Sequence, residues 1–196
     1  MEAKLDAGTT EGGSLSHAHT SAVASAPALA AGARPGVLGD VRLLLLGLWL
    51  GAAMFFSFAV APGAFAVLPA RELAGAIVTR TISVVNVAGF FVGLLLLATA
   101  FARRDAAAAR RAWTLEVFAL ALLALATGIG QWVISARMQS LRLSMGRPID
   151  ELAGSDPLRL AFNELHGYSV AAMTTAMLAG LVAFILIARR NRRSGV

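Results

Sequence analysis

The sequence predicts an all-α protein, a bundle of four transmembrane helices. Of its 196 residues, 58% are hydrophobic and only 14% are charged, and the mean hydropathy is +0.73. A typical soluble domain carries about 25% charged residues. Four long apolar runs follow one another, and arginines flank them. Because lipid cannot satisfy backbone amides, such runs span a membrane as helices or closed barrels, and they lack the alternation of barrel strands.

The charge pattern points to lipid as the partner. Lys and Arg number 17 against 11 Asp and Glu, a net charge of +6. Because the basic residues cluster at the ends of apolar runs, they are placed for lipid headgroups and for topology. We therefore expect the lipid bilayer as a partner and no nucleic acid. The chain has no cysteine, which excludes disulfides, thiolate catalysis and cysteine-based metal sites.

The two ends of the chain differ from its middle. Residues 1–36 are rich in Ala, Gly and Ser and lack an apolar run, which predicts a disordered tail. This tail is not a secretory signal peptide, because its small residues precede the first apolar segment instead of following one. Residues 37–190 form the predicted membrane domain, and residues 191–196 form a basic C-terminal tail.

The first two spans are bounded by arginines and a proline. Span one covers about residues 43–61, between Arg42 and Pro62, whose ring cannot continue a regular helix without losing a hydrogen bond. Its length at 1.5 Å per residue is about 28 Å, close to the hydrocarbon thickness of a bilayer. Span two covers about residues 81–102 and ends before Arg103.

The last two spans carry further boundary signals. Span three covers about residues 112–136, and Trp113 and Trp132 lie near its two ends, where an aromatic belt would place them. Span four covers about residues 167–188. Pro157 follows Ser-Asp, a pattern typical of the first turn of a helix. The fourth helix is therefore predicted to begin outside the membrane.

Arginine placement predicts the orientation. The loop at 103–111 and the segment at 189–193 each contain four arginines. In the segment at 137–160, acidic residues offset the arginines. The positive-inside rule therefore predicts a multi-pass protein of the bacterial inner membrane with both termini in the cytoplasm.

Polar residues near the outer ends of three spans are the candidate site, because polar groups in hydrocarbon are costly. One helical face of span two carries polar residues at three-residue spacing, namely Arg80, Ser83 and Asn86. Polar residues around the start of span four have the same spacing. We expect an outward-facing pocket for an ion, a proton or a small ligand. Its expected residues are Arg80, Asn86, Gln131, Arg137, Asn163, His166 and Ser169.

A purely structural role is the main alternative for these side chains. The arginines can reach headgroups, and the amides and His166 can hydrogen-bond between helices. Glu116 is expected to pair with Arg42 or Arg111 as an interfacial anchor. Met173 and Met177 lie one turn apart, but leucine-like packing explains them better than copper binding. No catalytic residue, metal site or cofactor is expected, and the protein is more readily explained as a non-enzyme.

Two segments carry a family resemblance. The sequences Gly47-Leu48-Trp49-Leu50-Gly51 and Phe162-Asn163-Glu164-Leu165-His166-Gly167-Tyr168-Ser169 resemble patterns of the transmembrane-protein-205-like family, as does the Ala61-Pro62-Gly63-Ala64-Phe65 exit of the first span. The resemblance covers about residues 38–188. It implies a four-helix membrane domain of poorly defined activity, with Pro62, Arg80 and His166 as positions to test.

A looser similarity connects the first span to copper-resistance membrane domains and to the membrane protoporphyrinogen oxidase family. It implies a haem- or copper-associated oxidoreductase-like protein as an alternative function. Haem between helices commonly needs two axial ligands, and the membrane domain contains one histidine, His166. A structural or assembly subunit of a membrane complex, or a homo-oligomer, is the second alternative, based on the Gly-x-x-x-Gly pairs Gly47–Gly51 and Gly89–Gly93.

Overall fold

A computed structural model describes residues 35–102 and 110–194, and every long element in these ranges is helical. The predicted tail at 1–36 therefore lies almost wholly outside the described residues, as do Arg103 and Arg104. The elements are α1 (Pro35–Phe55), a first π segment (Phe56–Val60), α2 (Ala61–Val67), α3 (Arg71–Ala102), α4 (Arg110–Ile129), a second π segment (Gly130–Ile134), α5 (Ser135–Met145), a 3₁₀ turn (Ile149–Glu151) and α6 (Pro157–Ser194).

The predicted four-helix transmembrane bundle is confirmed. Four continuous helical stretches are long and apolar enough to cross a membrane: Val37–Val67, Arg71–Ala102, Arg110–Met145 and Pro157–Arg192. They contain 31 to 36 residues, or roughly 46 to 54 Å, so each extends beyond a hydrocarbon core of about 30 Å. Large apolar side chains such as Leu48 and Phe58 are more than 70% exposed on the outer wall, as lipid contact requires. The chain is a multi-pass membrane protein.

The first span continues through Pro62 and ends at Val67, five residues later. Pro62 has no backbone N–H, and its ring crowds the carbonyl four residues back, so a regular helix would be strained here. The π segment just before it widens the turn, with the Ala61 N–H donating to the Phe56 carbonyl. The helix stops at Leu68, which is extended (φ −79°, ψ 136°) because it precedes Pro69.

The helices form a ring in which each packs against two neighbours, in the order α1, α3, α4 and α6. Trp49 of α1 lies at the centre of the core and is 4% exposed. Its indole fits over two glycines, since an added Cβ would lie 2.5 Å from Trp49 at Gly89 of α3 and 3.0 Å from it at Gly180 of α6. The indole Nε1 donates to the Val85 carbonyl at 2.9 Å. These contacts set the rotation of three helices about their axes.

Candidate functional site

A buried ionic cluster joins the four helices at one end of the bundle. We call Arg42, Glu116 and Arg190 the Glu116 cluster. Arg42 Nη2 lies 2.6 Å from Glu116 Oε1, and it also donates to the Leu96 carbonyl at 3.2 Å. Arg190 Nη1 lies 3.5 Å from Glu116 Oε2. The side chains of Arg42 and Glu116 are each 2% exposed, whereas that of Arg190 is 28% exposed.

The Glu116 cluster crosses the diagonal of the helix ring. Arg42 is on α1 and Glu116 is on α4, which are not ring neighbours, while Leu96 and Arg190 come from α3 and α6. Of the two expected partners of Glu116, Arg42 forms the ion pair, whereas Arg111 is exposed. Because the buried carboxylate and guanidinium neutralise each other, this cluster is suited to holding helices together. Arg190 was missed because nothing in its local sequence distinguishes it from the neighbouring arginines.

At the opposite end of the bundle, an open groove of about 420 Å³ runs along α3 beside the second π segment. We call it the Arg80 groove. It brings together two of the predicted site residues, Arg80 of α3 and Gln131 of the second π segment. The lining is Arg80, Ser83, Val84, Val87, Ala88 and Gln131.

Gln131 occupies an unusual position in this groove. Its Oε1 is buried and accepts no hydrogen bond from the described residues. In the π segment that carries it, the Gly130 carbonyl accepts hydrogen bonds from the Ser135 backbone N–H and, at 2.9 Å, from Ser135 Oγ. Asn86, 3% exposed, lies against the same turn, because an added Cβ on Gly130 would be 3.2 Å from Asn86 Nδ2. The α3 and α4 parts of the predicted polar layer therefore do meet.

A second open groove, of about 390 Å³, lies between α5 and α6 at the same end. We call it the Arg137 groove. Arg137 of α5 and Glu164 of α6 both line it, and Tyr168 Oη donates to Glu164 Oε1 at 2.7 Å. The remaining lining residues are Ser140, Leu141, Ala161 and Leu165.

The other predicted residues line neither groove. Asn163 and His166 are exposed on α6, and Ser169 is partly buried. The predicted layer is thus divided into the Arg80 groove with Asn86 beside it, the separate Arg137 groove, and three α6 residues outside both. The role of these residues stays a prediction. Glu164 and Tyr168 are not among the predicted site residues, because their place in a groove depends on α5 packing against α6.

Arg142 of α5 contacts both α3 and α6. Its Nη1 donates to Thr79 Oγ1 of α3 at 3.1 Å, and its guanidinium carbon lies 5.1 Å from the centre of the Phe162 ring of α6. This one side chain of α5 therefore connects both neighbouring helices. It lines neither groove.

Among the described residues, no three His, Asp or Glu side chains are grouped to hold a metal ion. Met173 is 5% exposed within the apolar core, and Met177 packs against that core. Packing accounts for both methionines. His166 is exposed on α6, and Met173, seven residues further along the same helix, is buried in the apolar core.

Comparison with known proteins places the chain in a family. The model of a domain of unknown function (DUF4149) matches residues 44–147, which is more than half of the chain, so the protein belongs to that family. The match agrees with the expectation of an uncharacterised membrane-domain family, and the narrower transmembrane-protein-205-like assignment stays a prediction. No curated protein and no solved structure matches the chain.

Proposed function

We propose that this member of the DUF4149 family is a non-enzymatic membrane protein that handles an ion, a proton or a small hydrogen-bonding ligand at the Arg80 groove. The observation that supports it is the buried, unpartnered Oε1 of Gln131. An acceptor left without a partner away from water costs about 1–3 kcal/mol. Such a cost persists in a protein where a function needs the group.

The surroundings of Gln131 favour a binding role. π segments inside α-helices occur frequently at functional sites. Arg80 lines the same groove, and Gln131 lies at the level of Asn86, six residues or about 9 Å further along α3 than Arg80. A guest that donates a hydrogen bond, such as water, hydronium or an ammonium or hydroxyl group, would satisfy Oε1.

The test is a comparison of stability with function for Gln131→Leu. If Oε1 serves a guest, the substitution removes an unsatisfied group, so thermal stability in detergent stays unchanged or rises. The same variant should fail to restore the phenotype of a strain that lacks this protein. Proton and ion flux into vesicles containing the purified protein then identifies the guest.

Gln139→Leu is the matched control, because Gln139 is exposed on α5 and lines neither groove. It should leave both stability and complementation unchanged. A loss of 1 kcal/mol or more of stability in Gln131→Leu would mean that the amide is a structural hydrogen-bonding group. Full complementation by that variant would also refute the proposal.

The proposal places the Arg80 groove on the outer side of a bacterial inner membrane, with both termini in the cytoplasm. Arginine distribution supports this orientation, since Arg110 and Arg111 begin α4 at the end of the bundle that holds the Glu116 cluster. We also propose that the protein is related to the transmembrane-protein-205-like family, which the resemblance of its first span and of residues 162–169 supports. No observation among the described residues favours the oxidoreductase or assembly-subunit alternatives.

A further inference from the structure

We infer that the Arg137 groove binds the headgroup of a phospholipid that carries a primary ammonium group, as phosphatidylethanolamine does. This site is separate from the Arg80 groove and does not depend on the proposed function. Arg137 would hold the phosphate and Glu164 the ammonium. The inference rests on the placement of one cation and one carboxylate in a single amphipathic groove.

Neither charge is neutralised by the protein. Among residues 35–102 and 110–194, no carboxylate lies within 4.0 Å of the guanidinium nitrogens of Arg137, although Glu164 lines the same groove. Glu164 Oε1 is occupied by the Tyr168 hydroxyl at 2.7 Å, which orients the carboxylate and leaves Oε2 to accept a further hydrogen bond. A zwitterion with a phosphate and an ammonium group matches this pair of opposite charges.

The groove lies at the boundary between polar and apolar sequence. On the α4–α5 span, the residues before Arg137 are mostly apolar and those after it include Gln139, Ser140 and Arg142. On α6, the residues after Tyr168 are mostly apolar up to Arg189. Tyrosine is enriched at such membrane–water boundaries. The two charges are therefore at headgroup level.

The remaining lining residues suit a lipid better than a soluble zwitterion. Leu141, Ala161 and Leu165 form an apolar wall beside the charges. A phospholipid presents apolar glycerol and acyl carbons directly beside its phosphate, whereas a soluble headgroup does not. Phosphatidylcholine shares the phosphate but has no N–H to donate to Glu164. A comparison of the two lipids therefore distinguishes the role of Glu164 from that of Arg137.

The experiment measures lipid binding to the purified full chain by native mass spectrometry. Phosphatidylethanolamine should bind more tightly than phosphatidylcholine by about tenfold, the ratio expected from one hydrogen bond to a charged group. Glu164→Gln retains an acceptor for the Tyr168 hydroxyl but should abolish this preference. Arg137→Gln should weaken the binding of both lipids to a similar extent, because both carry the phosphate.

Arg147→Gln and Glu151→Gln are matched controls, because both residues are exposed and lie outside the groove. They should change neither affinity nor preference. Equal affinity of the wild type for the two lipids would overturn the inference, as would a preference that survives in Glu164→Gln. Equally tight binding of soluble phosphoethanolamine would overturn the assignment to a lipid.

Discussion

Removal of the Glu116 carboxylate should destabilise the bundle strongly. In Glu116→Leu, the guanidinium of Arg42 loses the partner that lies 2.6 Å away, and its side chain is only 2% exposed. Removing one partner of a buried ion pair costs about 3–5 kcal/mol, because the other charge stays away from water. Arg190, at 28% exposure, can turn towards headgroups and adds little to this cost.

The expected change is large in a thermal unfolding experiment. For a chain of this size, 1 kcal/mol corresponds to about 2–4 °C in Tm, so Glu116→Leu should lower Tm by roughly 6–20 °C. Tryptophan fluorescence in detergent follows the transition, since the chain contains three tryptophans. Arg111→Ala removes an exposed charge near Glu116 in sequence and should stay within about 0.5 kcal/mol of the wild type.

The double variant Arg42→Met/Glu116→Leu distinguishes the loss of the ion-pair attraction from the cost of leaving Arg42 as an unpaired buried charge. Replacing a whole buried ion pair by apolar residues of similar volume is often neutral or stabilising, so the double variant should regain most of the stability lost in Glu116→Leu. Two results would refute this reasoning. One is a loss below about 1 kcal/mol in Glu116→Leu, and the other is a double variant no more stable than the single one.

Two further substitutions test packing by the same thermal assay. Gly89→Ala places a Cβ 2.5 Å from Trp49 and should cost about 1–3 kcal/mol, whereas Gly51→Ala meets nothing within 4 Å and should be neutral or slightly stabilising. Equal changes in Tm for Gly89→Ala and Gly51→Ala would refute the close contact between Gly89 and Trp49. Arg142→Ala, which removes the bridge between α3 and α6, should cost about 1–2 kcal/mol and the exposed Arg147→Ala almost nothing. A stable Arg142→Ala would mean that the bridge contributes little.

Some features could be predicted because they depend on local sequence. Apolar runs and flanking arginines determine four membrane helices, since the free energy of placing a segment in lipid is a sum over its own residues. Pairing of Glu116 with Arg42 or Arg111 was also foreseeable, because a carboxylate inside an apolar span requires a nearby cation, and the structure shows Arg42 as the partner. The end of the first span was harder to predict. Pro62 and Pro69 are both possible stops, and the π segment before Pro62 determines that the helix continues.

Only the tertiary structure decided which polar groups meet. Arg80 and Gln131 share one groove, while Arg137 and Glu164 line a different one. Helical periodicity places residues on a face of their own helix, but it does not specify the neighbour that this face contacts. That choice depends on how far each helix is rotated and shifted. Here close contacts such as Trp49 over Gly89 set the rotation, and they join residues far apart in the chain.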